Sequence, residues 1–162
     1  MNRMYKQKLR RYALAIVLLV ISAYISVFIK DTIDSKNPEV SLPIISVTTG
    51  YTSIPDVPRA GYEWNYATKT VQSPFISCID VPLVVYDALP GAPILIDFSS
   101  PYKSITLYEG EGVAPENFTE KRYSMTTPAE EGTYVYKVVA QFDRGTIVHY
   151  FALEVAQPHT LA

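Results

Sequence analysis

The chain has 162 residues, of which 48% are hydrophobic and 19% charged, and a formal net charge of −2. Only 7 glycines and 12 prolines among many aromatics argue against a disordered chain, and one cysteine excludes an intrachain disulfide framework or a cysteine-rich zinc module. The body is acidic and carries no basic stripe, so no nucleic-acid partner is expected.

The charge is unevenly spread. Arg3, Lys6, Lys8, Arg10 and Arg11 precede residue 12 with no acid among them, whereas residues from 30 onward hold 9 basic and 16 acidic residues, a net of −7. Every proline and glycine lies after residue 37.

Tyr12 to Ile29 is an unbroken run of 18 uncharged residues, YALAIVLLVISAYISVFI. As a helix it covers about 27 Å, close to the ~30 Å hydrocarbon core of a bilayer. Eleven of the 18 are Leu, Ile, Val or Phe, which together favour insertion by roughly 3–7 kcal/mol and offset Ser22, Ser26 and the tyrosines. A buried soluble helix would need a partner on every face, since this run is apolar all round. A cleaved signal peptide has an apolar region of about 7–15 residues ending at small residues. Here Ser26-Val27-Phe28-Ile29-Lys30 is bulky instead. The run therefore reads as an uncleaved signal-anchor, spanning the membrane from Tyr12 through Leu18, Ser22 and Ser26 to Ile29. The basic residues before it place residues 1–11 in the cytoplasm and the rest outside the cytoplasmic membrane. Ala15, Ser22 and Ser26 share a helix face at small-residue spacing, so self-association through the helix is a further expectation.

Residues 30–42 are polar and read as a stalk, in which any extension of the helix should stop before Pro38. From Ile44 onward short β-rich runs alternate with turn residues. These are Ile44–Thr49, Tyr62–Tyr66, Leu83–Tyr86, Ile94–Phe98, Ser104–Glu109, Arg122–Thr126, Thr133–Phe142 and Thr146–Val155. The last two are joined by Asp143-Arg144-Gly145, a hairpin signal. Tyr134, Tyr136, Val138, Ala140 and Phe142 fall on one face of the first of them. Ile147, His149, Phe151, Leu153 and Val155 share a face of the second. No amphipathic helix pattern follows residue 43. The fold class expected is all-β: one antiparallel β-sandwich over residues 43–157, preceded by a transmembrane helix and followed by a tail, 158–162.

Pro128-Ala129-Glu130-Glu131-Gly132-Thr133-Tyr134-Val135-Tyr136 resembles the approach to the penultimate strand of immunoglobulin-like and fibronectin-like modules. In those modules the tyrosine hydroxyl ties down the preceding loop, a role the resemblance implies for Tyr134. Ile45-Ser46-Val47, Gly50, Ile54-Pro55, Gly61-Tyr62-Glu63-Trp64 and Asp80-Val81-Pro82 are similar to exported modules of Gram-positive bacteria without an assigned activity. The resemblance covers residues 44–156 and implies an Ig-like sandwich, with little bearing on function. The paired cysteines of antibody domains are absent, so Trp64, the tyrosines and the aliphatics must form the core.

Few residues invite chemistry. Cys78 has apolar neighbours and no base beside it in sequence, the setting of a buried small hydrophobe. His149 reads as a hydrogen-bonded core residue and His159 as part of the tail, and the two make neither a metal site nor a triad. Asp80, Asp87 and Asp97 fall in or beside β-runs, and strand alternation sends Asp97 to the solvent face. Asn117-Phe118-Thr119 matches the glycosylation pattern of eukaryotic secretory proteins. No metal, cofactor or catalytic residue is assigned. Thr48-Thr49-Gly50-Tyr51 resembles one loop of chagasin-like protease inhibitors, and Gly110-Glu111-Gly112-Val113 echoes their glycine-rich second loop. Their third loop has no counterpart at Asp143-Arg144-Gly145.

The function expected is that of a non-catalytic, membrane-anchored module that binds another envelope or extracellular protein in assembly, sensing or adhesion. The alternative is a membrane-tethered protease inhibitor. The partner-binding residues expected lie in the thirteen-residue connection Glu109–Lys121, with Phe118 as the apolar anchor and Glu111, Glu116 and Glu120 as steering acids.

Overall fold

The computed structural model describes residues 3–55, 57–121 and 125–157. They divide into two units, one of residues 1–41 with the turn 66–69, the other holding the remainder. His159 and most of the expected strand Arg122–Thr126 lie outside the described residues.

The first unit is built on α1, Arg3–Asp34, about 48 Å long at 1.5 Å per residue. Its stretch Arg10–Asp34 has a mean hydropathy of 2.6, and none of its most apolar window is buried. Among the described residues, one helix is long and apolar enough to cross a membrane. The Ser26 hydroxyl donates to the Ser22 carbonyl at 2.9 Å and the Thr32 hydroxyl to that of Phe28 at 2.8 Å. Such bonds to the preceding turn leave no hydroxyl of these two residues to be satisfied by solvent.

The helix continues past Ile29 because Lys30–Asp34 ends the hydrophobicity but contains no glycine or proline. It then tightens: Ser35 N still bonds Asp31 O at 3.0 Å, whereas Lys36 N reaches back only three residues to Ile33 O. Pro38 opens a second short helix, α2, Pro38–Ser41, at the position where a missing N–H costs nothing. Much of the stretch read as a stalk is therefore helical. Asp31 is buried and its carboxylate accepts a hydrogen bond from Ala67 N, while the hydroxyls of Ser41 and Tyr66 lie 2.6 Å apart.

The second unit contains two sheets. The smaller has the order β2-β1-β6, from β1 (Ile45–Thr49), β2 (Thr52–Ile54) and β6 (Ile94–Phe98), all antiparallel. The larger uses β3 (Arg59–Asn65), β4 (Thr70–Ser73), β5 (Val85–Ala88), β7 (Ser104–Glu111), β8 (Thr119–Glu120), β9 (Gly132–Phe142) and β10 (Gly145–Val155). Its order is β4-β3-β10-β9-β7-β8, antiparallel throughout. Strand β10 changes neighbour along its length. Gly145–His149 pairs with β3, and after an irregularity at Val148 and His149 the segment Ala152–Val155 pairs in parallel with β5.

An aromatic layer joins the sheets. Phe98 of β6 meets Phe142 of β9 edge-on at 5.2 Å, and Phe142 meets Trp64 at 5.4 Å, favourable T-shaped contacts between ring faces and edges. Farther along the same face Tyr136 stacks on Phe151 at 4.9 Å. Trp64, Tyr134 and His149 are all buried, as the alternation requires.

The other face of β9 and β10 is covered as well. Val135, Val148, Tyr150 and Ala152 pack with Ala60, Cys78 and Val81, and Leu83 and Phe118 lie against them. Cys78 opens a single 3-10 turn, Cys78–Asp80, in this covering layer. The near-continuous apolar run of β10 is the sequence mark of a strand buried on both sides. Of the expected strand at Arg122–Thr126, the described end makes one bridge, Thr126 to Pro93.

Candidate functional site

Register defines two poles of the β unit. At one, Ile45 pairs with Phe98, Gly145 with Phe142 and Trp64, and the chain enters at Leu42. At the other, Thr49 pairs with Ile94, Glu111 with Tyr134, and Val155 with both Gly132 and Ala88.

The second pole carries a cleft of about 590 Å³, between the β1–β2 turn, the end of β5 and the end of β10. That turn has two residues, Gly50 and Tyr51, since Thr49 pairs with Thr52. Gly50 takes φ 55°, open to glycine at little cost, and Tyr51 has negative φ, the pattern of a hairpin turn that starts with glycine. Gly50 N donates to Pro93 O at 3.0 Å and fixes the turn against the start of β6. Tyr51 at the tip is fully exposed.

The lining combines three chemistries. Ala88, Ala92, Ala156 and Leu89 give apolar walls, and Leu89 is half-exposed at the rim. Asp87 of β5 and Glu154 of β10 are direct register partners, so both carboxylates stand on the same side of adjacent strands. The Thr133 hydroxyl donates a hydrogen bond to Glu154. Thr49 is the third: only 3% exposed, it follows Val47 on the core face of β1, and its hydroxyl has no hydrogen-bond partner. That hydroxyl is closed to solvent on the inner side of the strand, where an unpaired hydroxyl costs about 1–3 kcal/mol.

Around Thr127 the same pole is well paired. Its hydroxyl accepts from Ala92 N at 2.8 Å and donates to Leu89 O at 2.6 Å, holding the 89–92 bend that forms one wall.

The residues expected to bind a partner are elsewhere. Strands β7 and β8 pair at Tyr108–Glu120 and Glu109–Thr119, so Glu109–Lys121 is a hairpin with a 112–118 connection rather than one long loop. A part-buried ion pair, Lys121 Nζ to Glu109 Oε2 at 2.8 Å, closes it. Phe118 lies over Tyr150 with ring centroids 6.0 Å apart, on the covering layer of the sheet. Glu111, Glu116 and Glu120 are exposed, and none of the four lines the cleft.

Of the cleft residues, Thr49–Tyr51 and Asp87 stand out in the sequence, whereas Leu89, Glu154 and Gln157 do not. One signal was legible: Thr49 is a polar residue two places from Val47, in a core position of its strand. The pairing of Asp87 with Glu154 was not, because it depends on a parallel contact between segments 67 residues apart.

Among the other residues with chemical potential, Cys78 is buried and free of disulfide. Asp97 is exposed and accepts from Phe98 N at 2.8 Å. His149 Nδ1 lies 3.1 Å from Val57 O, and Nε2 has no partner. Burial, with the nearby Arg59 charge, pushes its pKa down to about 4. No group of three or more His, Cys, Asp or Glu that could hold a metal occurs among the described residues. The hairpin turn at Asp143–Gly145 is at the pole opposite Thr49–Tyr51, while Gly110–Gly112 is at the same pole as Thr49–Tyr51. No family model, no curated protein and no solved structure matches this chain.

Proposed function

We propose that this protein is a single-pass membrane module, with its N-terminus in the cytoplasm and an Ig-like sandwich outside. On this reading it acts by binding another envelope or extracellular protein through the cleft at the pole remote from Leu42. The observation that carries the binding reading is the open cleft of about 590 Å³ with its apolar walls, beside a fully exposed Tyr51 at the tip of a two-residue turn. Clefts of a few hundred Å³ with apolar walls are the usual form of small-molecule sites, and the exposed Tyr51 beside this one adds the aromatic anchor that protein interfaces favour.

The Ig-like assignment is supported by strand order. Strand β6 lies in one sheet and the next, β7, in the other, where β7, β9 and β10 run adjacent and antiparallel. An immunoglobulin-like sandwich places its B strand and its C, F and G strands in the same way. Near the start of β9 the Tyr134 hydroxyl donates to Glu130 O at 3.3 Å, the loop-tying bond of the tyrosine corner. On this assignment the hairpins β1–β2 and β3–β4 are additions at the sheet edges. A chagasin-like wedge needs three loops at one end, and the placement of Asp143–Gly145 at the other pole favours the binding module over the inhibitor.

Membrane placement is tested with single cysteines, for which the buried Cys78 gives a silent background. Ser53→Cys should react with a membrane-impermeant maleimide in intact cells, and Lys8→Cys only after permeabilisation. The protein should stay in the membrane pellet through an alkaline carbonate wash. Release by that wash, or the reverse labelling pattern, overturns the placement. A photo-crosslinking residue at Tyr51 should capture a discrete protein adduct in cells, and one at Lys103, at the opposite pole, should not.

A further inference from the structure

We infer that the corner between α1 and α2 holds the headgroup of one outer-leaflet phospholipid, a zwitterion whose phosphate is followed by a primary ammonium, as in phosphatidylethanolamine. The inference rests on α1 crossing the membrane and names the lipid that its outer end selects. Position comes first. Lys30, Ile33 and Asp34, three and four apart, share one face of the last turn of α1, and Asn37 follows in the turn beyond. At 1.5 Å per residue the helical three lie about 1.5–8 Å beyond Ile29, where the apolar run ends. A bilayer of ~40–45 Å around a ~30 Å hydrocarbon core leaves a headgroup layer of roughly 5–8 Å on each side. The corner is therefore at headgroup depth. With Val40 and Ser41 these residues line a cleft of about 460 Å³. Backbone bonds fix its shape, Asn37 N donating to Asp34 O at 3.1 Å and Val40 N to Asn37 O at 3.3 Å.

The lining selects the occupant. Lys30 and Asp34 carry opposite charges one helical turn apart in the same cleft, yet they form no ion pair with each other. With the base N-terminal to the acid, theirs is the less favourable order for pairing on a helix. A phosphate alone would meet Asp34 as a like charge, and an amine alone would meet Lys30. A headgroup bearing both satisfies both: its phosphodiester oxygens accept from the Lys30 ammonium, and its own ammonium donates to the Asp34 carboxylate. Asn37, exposed in the lining, adds amide donors for the phosphate. Ser41 adds nothing, because its hydroxyl is engaged with Pro38 O at 3.2 Å and the Tyr66 hydroxyl at 2.6 Å. Ile33 and Val40 complete the fit. They are 60% and 78% exposed, and the glycerol and first acyl methylenes of a lipid would cover them where water penalises them. A choline headgroup has the same charges but no N–H to give Asp34, and a glycerol headgroup has no cation at all.

The test is native mass spectrometry of the full chain released from detergent micelles, titrated with dioleoyl phospholipids bearing ethanolamine, choline or glycerol headgroups. The ethanolamine lipid should be retained as a single adduct, about fivefold more tightly than either of the others. Lys30→Gln should weaken the ethanolamine and glycerol lipids alike, since both present a phosphate. Asp34→Asn, nearly the same shape, should bring the ethanolamine lipid down to the level of choline and leave the glycerol lipid as tight or tighter. Lys36→Gln, outside the lining, should change none of them. Equal retention of the three lipids, or an ethanolamine preference indifferent to Asp34→Asn, overturns the inference. Preference for the glycerol lipid overturns it too, making the corner a site for anions. The assay reads the headgroup in micelles whether or not α1 crosses a membrane in cells. Release in the carbonate wash therefore strikes the membrane placement, and with it the leaflet, but not a measured headgroup preference. A chain that stays in the pellet yet shows no preference keeps the placement and loses the lipid site.

Discussion

His149 shows how one residue's surroundings set a property of the whole unit. It sits 3% exposed on β10, tilted against Phe98 at 6.0 Å, with Nδ1 facing Val57 O and no partner for Nε2. Burial disfavours the charged ring and places its pKa near 4, below the usual 6.5. Above pH 6.5 the ring is neutral both folded and unfolded, and the shift has no effect on stability. As pH falls from 6.5 toward 4 the unfolded chain takes up a proton that the native state refuses. Stability is lost across that window, by about 3 kcal/mol once it is crossed. His149→Gln keeps a donor for Val57 O and does not titrate, so its denaturant-unfolding free energy should fall less between pH 7.5 and 4.5. Equal losses in the two proteins would refute the buried neutral ring. Tyr136 gives the complementary case. Its ring is fully buried and stacked on Phe151, its hydroxyl makes no hydrogen bond of ordinary geometry, and burial together with the nearby carboxylate of Glu109, its register partner on β7, holds its pKa well above the ordinary tyrosine value. Tyr136→Phe removes an unpaired polar group without opening a cavity, so stability should be unchanged or rise by about 1 kcal/mol. A clear loss would mean that the hydroxyl is bonded in solution.

Elements follow from the sequence where a local pattern decides them, and escape it where a distant contact does. The alternation of Tyr134, Tyr136, Val138, Ala140 and Phe142 marks a strand face, and β9 buries that face. The hairpin at Asp143 is local too. Its following residue, Gly145, approaches β3 so closely that a Cβ would fall 1.9 Å from Glu63 O, a constraint visible only once the strands are paired. The short strands β2, β4 and β8 have no signature of their own in the sequence, because each is defined by its partner rather than by its composition. For the same reason the sequence reads as one connection over Glu109–Lys121 where the structure leaves only 112–118: Thr119–Glu120 carries no strand signal until it meets β7. The cleft was half legible, through Thr49, Tyr51 and Asp87. Its other side comes from β10, whose apolar run disguised Glu154 as an ordinary polar exception. Phe118 tests this account of the elements. If it is part of the covering layer over Tyr150, Phe118→Ser should cost about 1–2 kcal/mol of stability, the value of a half-buried aromatic. Thermal unfolding that does not move would return Phe118 to the role of a free apolar anchor.

At the scale of the molecule, one chain carries two kinds of surface. Between Tyr12 and Ile29 the exposed side chains of α1 are, apart from Ser22 and Ser26, aliphatic or aromatic on every side, a surface that water would penalise. From Leu42 the residues suit water, with apolar side chains gathered between the two sheets and beneath the Cys78 layer and charges left outside. The β unit should therefore fold without the helix. Residues 42–162 expressed alone keep the whole aromatic layer and both sheets, and lose the hydrogen bonds that Asp31 and Ser41 make with the turn at Ala67 and Tyr66. Those turn groups then face water, where they find new partners, so each bond is worth only its net contribution. The expected loss is about 1–3 kcal/mol in all. The shortened protein should be soluble and monomeric, with a β-type circular dichroism spectrum and a single cooperative unfolding transition. Its Trp64 emission should shift to longer wavelength only on unfolding, since that ring lies 6% exposed between the sheets. Aggregation of the shortened chain, or a red-shifted Trp64 under native conditions, would show that the helical unit completes the fold rather than tethering it.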